Sequence, residues 1–159
     1  MSVGNSWVQI QGTPKKPTTP LCWEAKNGKT SVGTKLILAT CAINPPDKQQ
    51  FMLEDMSDDD LEKKVIPKVN LNMVIGVKHL CKKAWLRLET DDEDITQKFV
   101  RVEYGRVQVG KAECDTDTTC FFVTNQSLNA DPGDPVMLRT KPYLEKFLQH
   151  GDVIEEWDF

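Results

Sequence analysis

The sequence lacks the features on which several classes of protein depend. No apolar run approaches 18 of the 159 residues, so no membrane-spanning helix is expected. The formal net charge is only −4, which gives no positive field for a nucleic-acid backbone, so nonspecific DNA or RNA binding is not expected either. Apolar residues make up 39% of the chain, which is too many for a disordered protein and ordinary for a folded one.

Catalytic and metal-binding signatures are also missing. The chain contains no Gly-x-Ser-x-Gly, no phosphate-binding glycine-rich loop and no His-Glu-x-x-His. Nothing in the sequence singles out His79 or His150 as a catalytic base. The spacing of Cys114 and Cys120 does not suit a structural zinc site, and the acidic clusters at 58–60 and 91–94 are interpreted as solvated loops rather than calcium sites. We therefore predict a protein that is not an enzyme and that needs no cofactor or metal.

The location is predicted from the N-terminus and from the cysteines. Residues 1–12 show neither a basic segment nor an apolar segment of a secretory signal. The cysteine count is five, and an odd number without a signal suits a reducing compartment. We expect mostly free thiols and a cytoplasmic protein, with a secreted mature form as the alternative.

The sequence does contain a pattern that occurs three times. Its central element, Leu-x-Thr, occurs at 38–40, 88–90 and 138–140, at steps of 50 residues. A second element, Gln or Glu two residues before Phe, follows each copy and ends at Phe51, Phe99 and Phe147. The loop between the two elements shrinks from 11 residues to 9 to 7. Repeats of this size indicate one supersecondary unit that is copied three times.

Within each unit, apolar residues recur with a period of two, which is typical of strands. The strand that ends in Leu-x-Thr has such positions in every copy: Leu36 and Leu38, Leu86 and Leu88, Val136 and Leu138. Each is preceded by another apolar segment, which begins at Leu21, Leu71 or Phe121. The one helical stretch that we expect is a single turn within Ser57 to Lys64. Ten to twelve short strands can then close a barrel that is capped by three hairpins, which leaves no exposed sheet edge.

The first unit resembles one subdomain of the ricin-type (R-type) lectins. It reads Leu21-Cys22-Trp23-Glu24, then a Gly-Thr turn at 33–34, an apolar strand followed by Cys41, and Gln49-Gln50-Phe51. In that family a unit reads roughly Cys-Leu-Asp-Val, a Gly-Thr turn, an apolar strand ending in a second cysteine, and Gln-x-Trp. The resemblance covers nearly the whole chain when three units are counted, although each Gln-x-Trp has become Gln-x-Phe or Glu-x-Phe.

The resemblance implies an all-β fold, the β-trefoil, with pseudo-threefold symmetry. It implies a single domain over 1–159, with repeats at approximately 5–56, 57–103 and 104–150 and a further strand at 151–159. The three phenylalanines of the second element would form one layer of the core. Cys22 and Cys41 occupy the two places at which such units carry an internal disulfide.

The resemblance also implies where a sugar would bind. In the family, an acidic residue after the first strand accepts hydrogen bonds from sugar hydroxyls, an aromatic residue near the end of the middle strand stacks on galactose, and an Asn stands beside Gln-x-Trp. These positions become Glu24, Ala39 and Lys48 in the first unit. The other two units carry different residues at the same positions: Val74, Glu89 and Thr96 in the second, and Thr124, Arg139 and Leu144 in the third. The candidate ligand-binding residues are therefore Glu24, Asn27, Lys48 and Gln49, and a solvated loop carboxylate is the alternative for Glu24.

These observations predict a non-enzymatic carbohydrate-binding protein whose sugar sites are degenerate. The alternative is a protein-recognition module, an inhibitor or scaffold that binds a partner protein through the variable loops at 42–48, 91–96 and 141–144. A third reading is a targeting domain of a toxin-like protein. Tyr143 is the aromatic residue that we expect to be most exposed. We expect the terminal strand to place Trp157 near Trp7, and a homodimer would result if that strand paired with a neighbouring molecule instead.

Overall fold

The chain folds into short antiparallel strands, as the period of two predicts. The computed structural model describes residues 6–12, 19–55, 62–81, 84–92, 95–97, 99–101, 107–110, 121–125, 130–140, 154 and 157–158. Within these ranges the strands are β1 (Gln11–Gly12), β2 (Leu21–Ala25), β3 (Leu36–Thr40), β4 (Phe51–Asp55), β5 (Glu62–Pro67), β6 (Met73–Gly76), β7 (Arg87–Thr90), β8 (Phe99–Arg101), β9 (Val107–Val109), β10 (Phe121–Asn125) and β11 (Val136–Thr140). They form sheets in the orders β1-β2-β3, β11-β10-β9-β8-β5-β4 and β6-β7. In the part of the chain that the structure describes, no helix has the length and apolar character needed to cross a membrane.

Three hairpins, β2-β3, β6-β7 and β10-β11, bury equivalent side chains. In each hairpin an apolar residue of the first strand lies opposite the leucine of Leu-x-Thr. These buried pairs are Trp23 with Leu38, Ile75 with Leu88, and Val123 with Leu138. The alternation of the sequence thus turns one face of every hairpin toward a common core.

The hairpins are joined to one another by a ring of backbone bonds. Isolated bridges connect Lys35 to Arg87, Trp85 to Met137 and Pro135 to Ile37. The first residues of these pairs are 50 apart in sequence, and so are the second residues. Each hairpin therefore bonds to the next, and the third bonds back to the first. The predicted all-β fold with three copies of one unit is confirmed.

Trp157 packs against Trp23 in the core, as Phe51 and Phe99 do, in the layer for which the sequence predicted Phe147. Phe51 lies opposite Pro67 and Phe99 lies opposite Val109 in the barrel strands. Gln11 pairs with Asp158, and this antiparallel register puts Trp157 opposite Gly12, at the place equivalent to the two phenylalanines. Trp157 stands 17 residues after Thr140, whereas Phe51 and Phe99 stand 11 and 9 residues after their threonines. Phe147 and Tyr143 lie outside the described residues.

Trp157 has different neighbours from those predicted. Its ring lies 5.6 Å from that of Trp23, which also contacts Phe51 and Phe99 at 6.2 and 6.1 Å. Trp7 lies instead under the ammonium group of Lys68, 5.5 Å from the ring centroid. The two ends of the described chain do meet, because Gln11 and Asp158 exchange both backbone hydrogen bonds. This pairing is within the chain, as we favoured over pairing between molecules.

One local prediction in the second unit is wrong, the start of β6, and another, the helical turn within Ser57 to Lys64, falls mostly on residues outside the described part. Residues 62–64 are not helical, because Glu62–Pro67 pairs along β4 and Lys63 forms an ion pair with Asp55; residues 56–61 lie outside the described part. Strand β6 begins at Met73 rather than Leu71, which is 61% exposed. The side chain of Asn70 accepts a hydrogen bond from the N–H of Asn72 at 3.0 Å, and this turn delays the start of the strand.

The expectation of mostly free thiols is wrong for Cys22 and Cys41, which form a disulfide. Cys22 lies opposite Ala39 in the β2-β3 pair, and Cys41 follows Ala39 by two residues. The Cα atoms of Cys22 and Cys41 are therefore only 5.1 Å apart, which suits a disulfide. Cys81 is free and exposed. Cys114 and Cys120 lie outside the described residues.

Candidate functional site

Glu24, Asn27, Lys48 and Gln49 form what we call the first-unit site. Glu24 is the fourth residue of β2, and a 3₁₀ turn at Lys26–Gly28 follows the strand. A second 3₁₀ turn at Asp47–Gln49 carries the other two members. The turns face each other, since a Cβ placed on Gly28 would lie 3.9 Å from Cδ of Lys48.

The carboxylate of Glu24 is largely buried and held at one oxygen. Its side chain is 12% exposed, and Oε1 accepts a hydrogen bond from Nε2 of Gln49 at 3.0 Å. Nζ of Lys48 lies 3.8 Å from the same oxygen and belongs to a side chain that is 39% exposed. Among the residues that the structure describes, none makes a hydrogen bond to Oε2. The contacts that the described residues make with this carboxylate therefore all fall on Oε1.

Gln49 is buried and uses its whole amide inside the protein. Nε2 donates to Glu24 and to the carbonyl of Thr40, both at 3.0 Å. Oε1 accepts from the N–H of Ala42 at 3.0 Å and from Nε2 of Gln9 at 3.1 Å. A primary amide has two donor hydrogens and two acceptor lone pairs, so none is left over. Gln49 positions Glu24 and ties the loop after β3, and it offers no group to a ligand.

Asn27 is placed near this set but apart from it. It is exposed and has a φ of 58°, in the left-handed region that asparagine tolerates better than most residues. In the described part of the chain, no hydrogen bond joins its side chain to Glu24, Lys48 or Gln49. The structure therefore brings three of the four predicted residues into contact and leaves Asn27 at the margin.

The second unit retains the glutamine and has lost the acid. Gln97 makes two of the hydrogen bonds that Gln49 makes, and its backbone partners lie 50 residues after those of Gln49. Its amide donates to the carbonyl of Thr90 at 2.7 Å and accepts from the N–H of Asp92 at 3.2 Å. The residue equivalent to Glu24 is Gly76 and not Val74 as predicted, because Gly76 lies opposite Arg87 as Glu24 lies opposite Ile37. The late start of β6 causes this shift of two residues.

The space beside Gly76 is filled by the protein itself. A Cβ on Gly76 would lie 2.9 Å from Cγ of Gln97 and 3.5 Å from Cγ of Glu89. Nε of Arg87 donates a charge-assisted hydrogen bond to Glu89, and both side chains are mostly buried. Glu89 and Arg87 thus satisfy each other beside the position that is equivalent to Glu24.

The third unit is closed at the same position. Thr124, opposite Met137, is fully buried, and its hydroxyl donates to the carbonyl of Ile154 at 2.6 Å. Asn125 accepts a hydrogen bond from the N–H of Ile154 at 2.9 Å. Ile154 stands three residues before Trp157, as Lys48 stands three before Phe51, so it occupies the place of Lys48. Leu144, the residue that the sequence assigned there, lies outside the described part.

No ring occupies the stacking position in any unit. The residue before the threonine of Leu-x-Thr is Ala39, Glu89 or Arg139. Within the described ranges, no group of three or more His, Cys, Asp or Glu side chains is arranged to hold a metal ion; residues 58–60 and 93–94 are not part of those ranges. The arrangement in the first unit therefore offers hydrogen bonding and charge, without an aromatic platform.

Comparison with known proteins defines the fold. No protein-family model matches the chain, and no curated protein matches it. The designed threefold-symmetric protein ThreeFoil is similar in structure, with a TM-score of 0.67, 13% identity, and coverage of 96% of this chain and 99% of that one. The C-terminal half of the earthworm R-type lectin, solved with GalNAc, gives a TM-score of 0.57 at 10% identity and covers 94% of this chain and 98% of that one.

A longer protein is similar over part of its length. A non-toxic homologue of type II RIPs from Momordica charantia (bitter gourd), solved with α-methyl-D-galactoside, gives a TM-score of 0.64 at 13% identity, over 96% of this chain and 46% of that one. Identities this low establish the fold alone. The chain has a ricin-type β-trefoil-like fold.

Proposed function

We propose that this protein is a non-enzymatic, carbohydrate-binding β-trefoil whose working site is the first-unit site. The observation that supports this most directly is the unequal state of the three acid positions. Glu24 keeps an oxygen that no described residue bonds, whereas Gly76 carries no acid and Thr124 is buried under Ile154. Two of the similar structures were solved with a galactose-type sugar.

The roles within the site follow from its hydrogen bonds. Oε2 of Glu24 accepts a sugar hydroxyl, and the half-exposed ammonium group of Lys48 donates to a neighbouring oxygen. Gln49 fixes the carboxylate through its bond to Oε1 of Glu24, and it does not contact the sugar, because every donor and acceptor of its amide is already used. Ala39 offers no ring to stack on the sugar, so we expect weak affinity for galactose itself.

The test is a titration of the protein with a panel of methyl glycosides, in which binding is measured by NMR chemical shifts or by calorimetry. Glu24→Ala removes the acceptor and is expected to abolish measurable binding, since a hydrogen bond to a charged group contributes about 1.5–3 kcal/mol. Glu54→Ala is the matched control, because Glu54 is an exposed carboxylate on β4. Tight binding that survives Glu24→Ala would show that the site lies elsewhere.

Protein recognition is the second candidate function, and one surface supports it. Leu71 is 61% exposed and Val32 is 49% exposed, on loops of the second and first units. The two loops are joined by a hydrogen bond from Asn70 to the carbonyl of Thr30 at 3.0 Å. Two exposed apolar side chains on neighbouring loops would contribute to a protein-binding surface if they form one patch. A partner captured by the wild type and lost with Leu71→Ser, while Glu24→Ala has no effect, would favour this function over sugar binding.

We propose an oxidising compartment for the protein, as in the secreted form. The support is the Cys22–Cys41 disulfide, since disulfides persist in secreted proteins and are rare in the cytoplasm. Mass spectrometry of the native protein, with thiols alkylated before and after reduction, tests this. Complete alkylation of Cys22 before reduction would favour the cytoplasmic alternative.

A further inference from the structure

The two chain neighbours of Cys41 are both bound by the amide of Gln49. Nε2 of Gln49 donates to the carbonyl of Thr40, and the N–H of Ala42 donates to Oε1 of Gln49, each at 3.0 Å. The same Nε2 donates to Oε1 of Glu24, also at 3.0 Å. The position of Cys41 therefore affects the amide, and the amide in turn holds the carboxylate.

The disulfide fixes Cys41 at a point where the backbone pairing of the sheet has ended. The last β2-β3 pair includes Thr40. The residue that would face Cys41 next is Pro20, which has no N–H for a further ladder bond. Cys22 carries the other sulfur, two residues before Glu24 on β2. The disulfide thus ties the segment that holds the amide to the strand that holds the carboxylate.

The second unit shows that the same loop can be tied without a disulfide. The amide of Gln97 bonds the residues on both sides of Asp91, which stands in the place of Cys41. Val74 lies opposite Glu89 in β7, as the other cysteine lies opposite Ala39 in β3, so this unit has no second sulfur. It also has no carboxylate for its amide to hold. Of these two units, only the first has a disulfide and a carboxylate together, and tying the loop does not account for the disulfide.

We propose that the Cys22–Cys41 disulfide is a positioning element of the first-unit site, and that its reduction by a dithiol weakens ligand binding. This inference rests on the carbohydrate-binding function proposed above. With the disulfide intact, Gln49 lies between fixed neighbours and keeps the carboxylate of Glu24 in one place. With the disulfide reduced, the segment after β3 gains freedom that ligand binding must remove again. A protein carried from an oxidising into a reducing compartment would then release its ligand.

The reduction is an ordinary thiol–disulfide exchange. Cys22 is fully buried whereas Cys41 is partly exposed, so the thiolate of the dithiol attacks Sγ of Cys41. The S–S bond of the protein breaks, a mixed disulfide forms at Cys41, and Cys22 leaves as a thiolate that takes up a proton. The second thiol of the reagent then displaces Cys41, which also ends as a thiol. The protein gains two electrons and two protons, and the dithiol becomes a cyclic disulfide.

The experiment measures the dissociation constant of methyl galactoside by NMR titration, with the protein oxidised and then reduced by dithiothreitol. Each state is measured for the wild type, Gln49→Ala and Gln97→Ala. Gln97→Ala is the matched control, because it removes the equivalent loop amide of the second unit. Hydrogen exchange of the backbone amides of Ala42 and Asp92 is followed in the wild type without sugar. Unfolding curves show whether each sample is folded at the temperature of the titration.

Reduction is expected to weaken sugar binding by about threefold to tenfold in the wild type and in Gln97→Ala, the size of coupling within one hydrogen-bond network. Oxidised Gln49→Ala should already bind this weakly and should lose no more on reduction, because the disulfide acts through the amide. Reduction should also speed exchange at Ala42, which bonds Gln49, and leave Asp92, which bonds Gln97, unchanged.

Equal affinity of the oxidised and reduced wild type would overturn the proposal. An equal loss on reduction in all three proteins would overturn it too, because the disulfide would then act through overall stability and not through Gln49. A wild type that binds no glycoside in either state would refute the carbohydrate function itself. In that case, or if Gln49→Ala binds too weakly to be titrated, exchange at Ala42 decides the positioning role, and unchanged exchange on reduction overturns it.

Discussion

The ring of Trp157 meets the ring of Trp23 edge-on, with centroids 5.6 Å apart and planes inclined at 69°. Trp157 also donates from Nε1 to the carbonyl of Val123 at 2.8 Å, so both its apolar body and its polar atom are satisfied in the core. Trp23 of the first unit thus packs against Trp157 near the end of the chain.

Replacing Trp157 by alanine is expected to destabilise the protein by about 3–5 kcal/mol, as for other fully buried aromatic residues. Urea unfolding followed by circular dichroism measures the change. Trp7→Ala is the control and should cost less than about 1 kcal/mol, because Trp7 is only partly buried and its described partner is the cation of Lys68. Similar losses for the two variants would mean that Trp157 does not have the third core position.

Gly12 gives an independent test of the same packing. A Cβ at this position would lie 2.3 Å from Cγ2 of Ile154 and 2.8 Å from Cε3 of Trp157, which is far inside contact distance. Gly12→Ala should therefore destabilise the fold by about 1–3 kcal/mol through overpacking. The loss should be smaller when Ile154→Ala is already present, because that change removes the closer atom. Purely additive effects in the double variant would contradict the contact.

Variants of Gln49 and Gln97 allow an effect on stability to be distinguished from an effect on sugar binding. Each buries an amide that holds a loop, so either glutamine replaced by alanine should lower the free energy of unfolding by about 1–3 kcal/mol. Only Gln49→Ala should also weaken sugar binding, because only Gln49 holds a carboxylate. Thermal unfolding and glycoside titration of both variants measure the two effects. A parallel loss of binding in Gln97→Ala would place ligand in the second unit.

The disulfide is expected to stabilise the protein measurably. The Cys22–Cys41 bond spans 19 residues, for which the loop-entropy estimate is about 3 kcal/mol. Urea unfolding with and without a phosphine reductant should differ by about this amount. The double variant Cys22→Ala, Cys41→Ala should unfold like the reduced wild type and show no further effect of reductant. Coincident curves for all four samples would show that the bond is absent in solution.

Much of the fold could be predicted because its determinants are local and repeated. Leu38, Leu88 and Leu138 recur at a fixed step, and the bridges between hairpins recur at the same step. The register of β6 could not be predicted, because the turn at Asn70 shifts its start without altering the apolar pattern. Trp157 was not assigned to the core because Phe147 matched the expected spacing after Thr140 more closely.

The site was less predictable than the fold. The sequence indicated Glu24 and its neighbours, but whether an amide faces a ligand or is saturated depends on partners distant in sequence, such as Gln9 for Gln49. The filling of the second unit by Arg87 and Glu89 depends likewise on side-chain packing at Gly76.

Gln49 both ties the loop after β3 and holds the carboxylate of Glu24, and only the first of these roles is repeated by Gln97. Gln97 ties its loop although the acid beside it is gone, so selection for folding alone is sufficient to retain an amide at that position. The second unit therefore keeps the amide that in the first unit holds the carboxylate of Glu24. A carboxylate in place of Gly76 would require both the side chain of Gln97 and the carbonyl of Thr96 to move, since a Cβ there would lie 2.9 and 3.0 Å from them, so the fold itself now stands against an acid at this position.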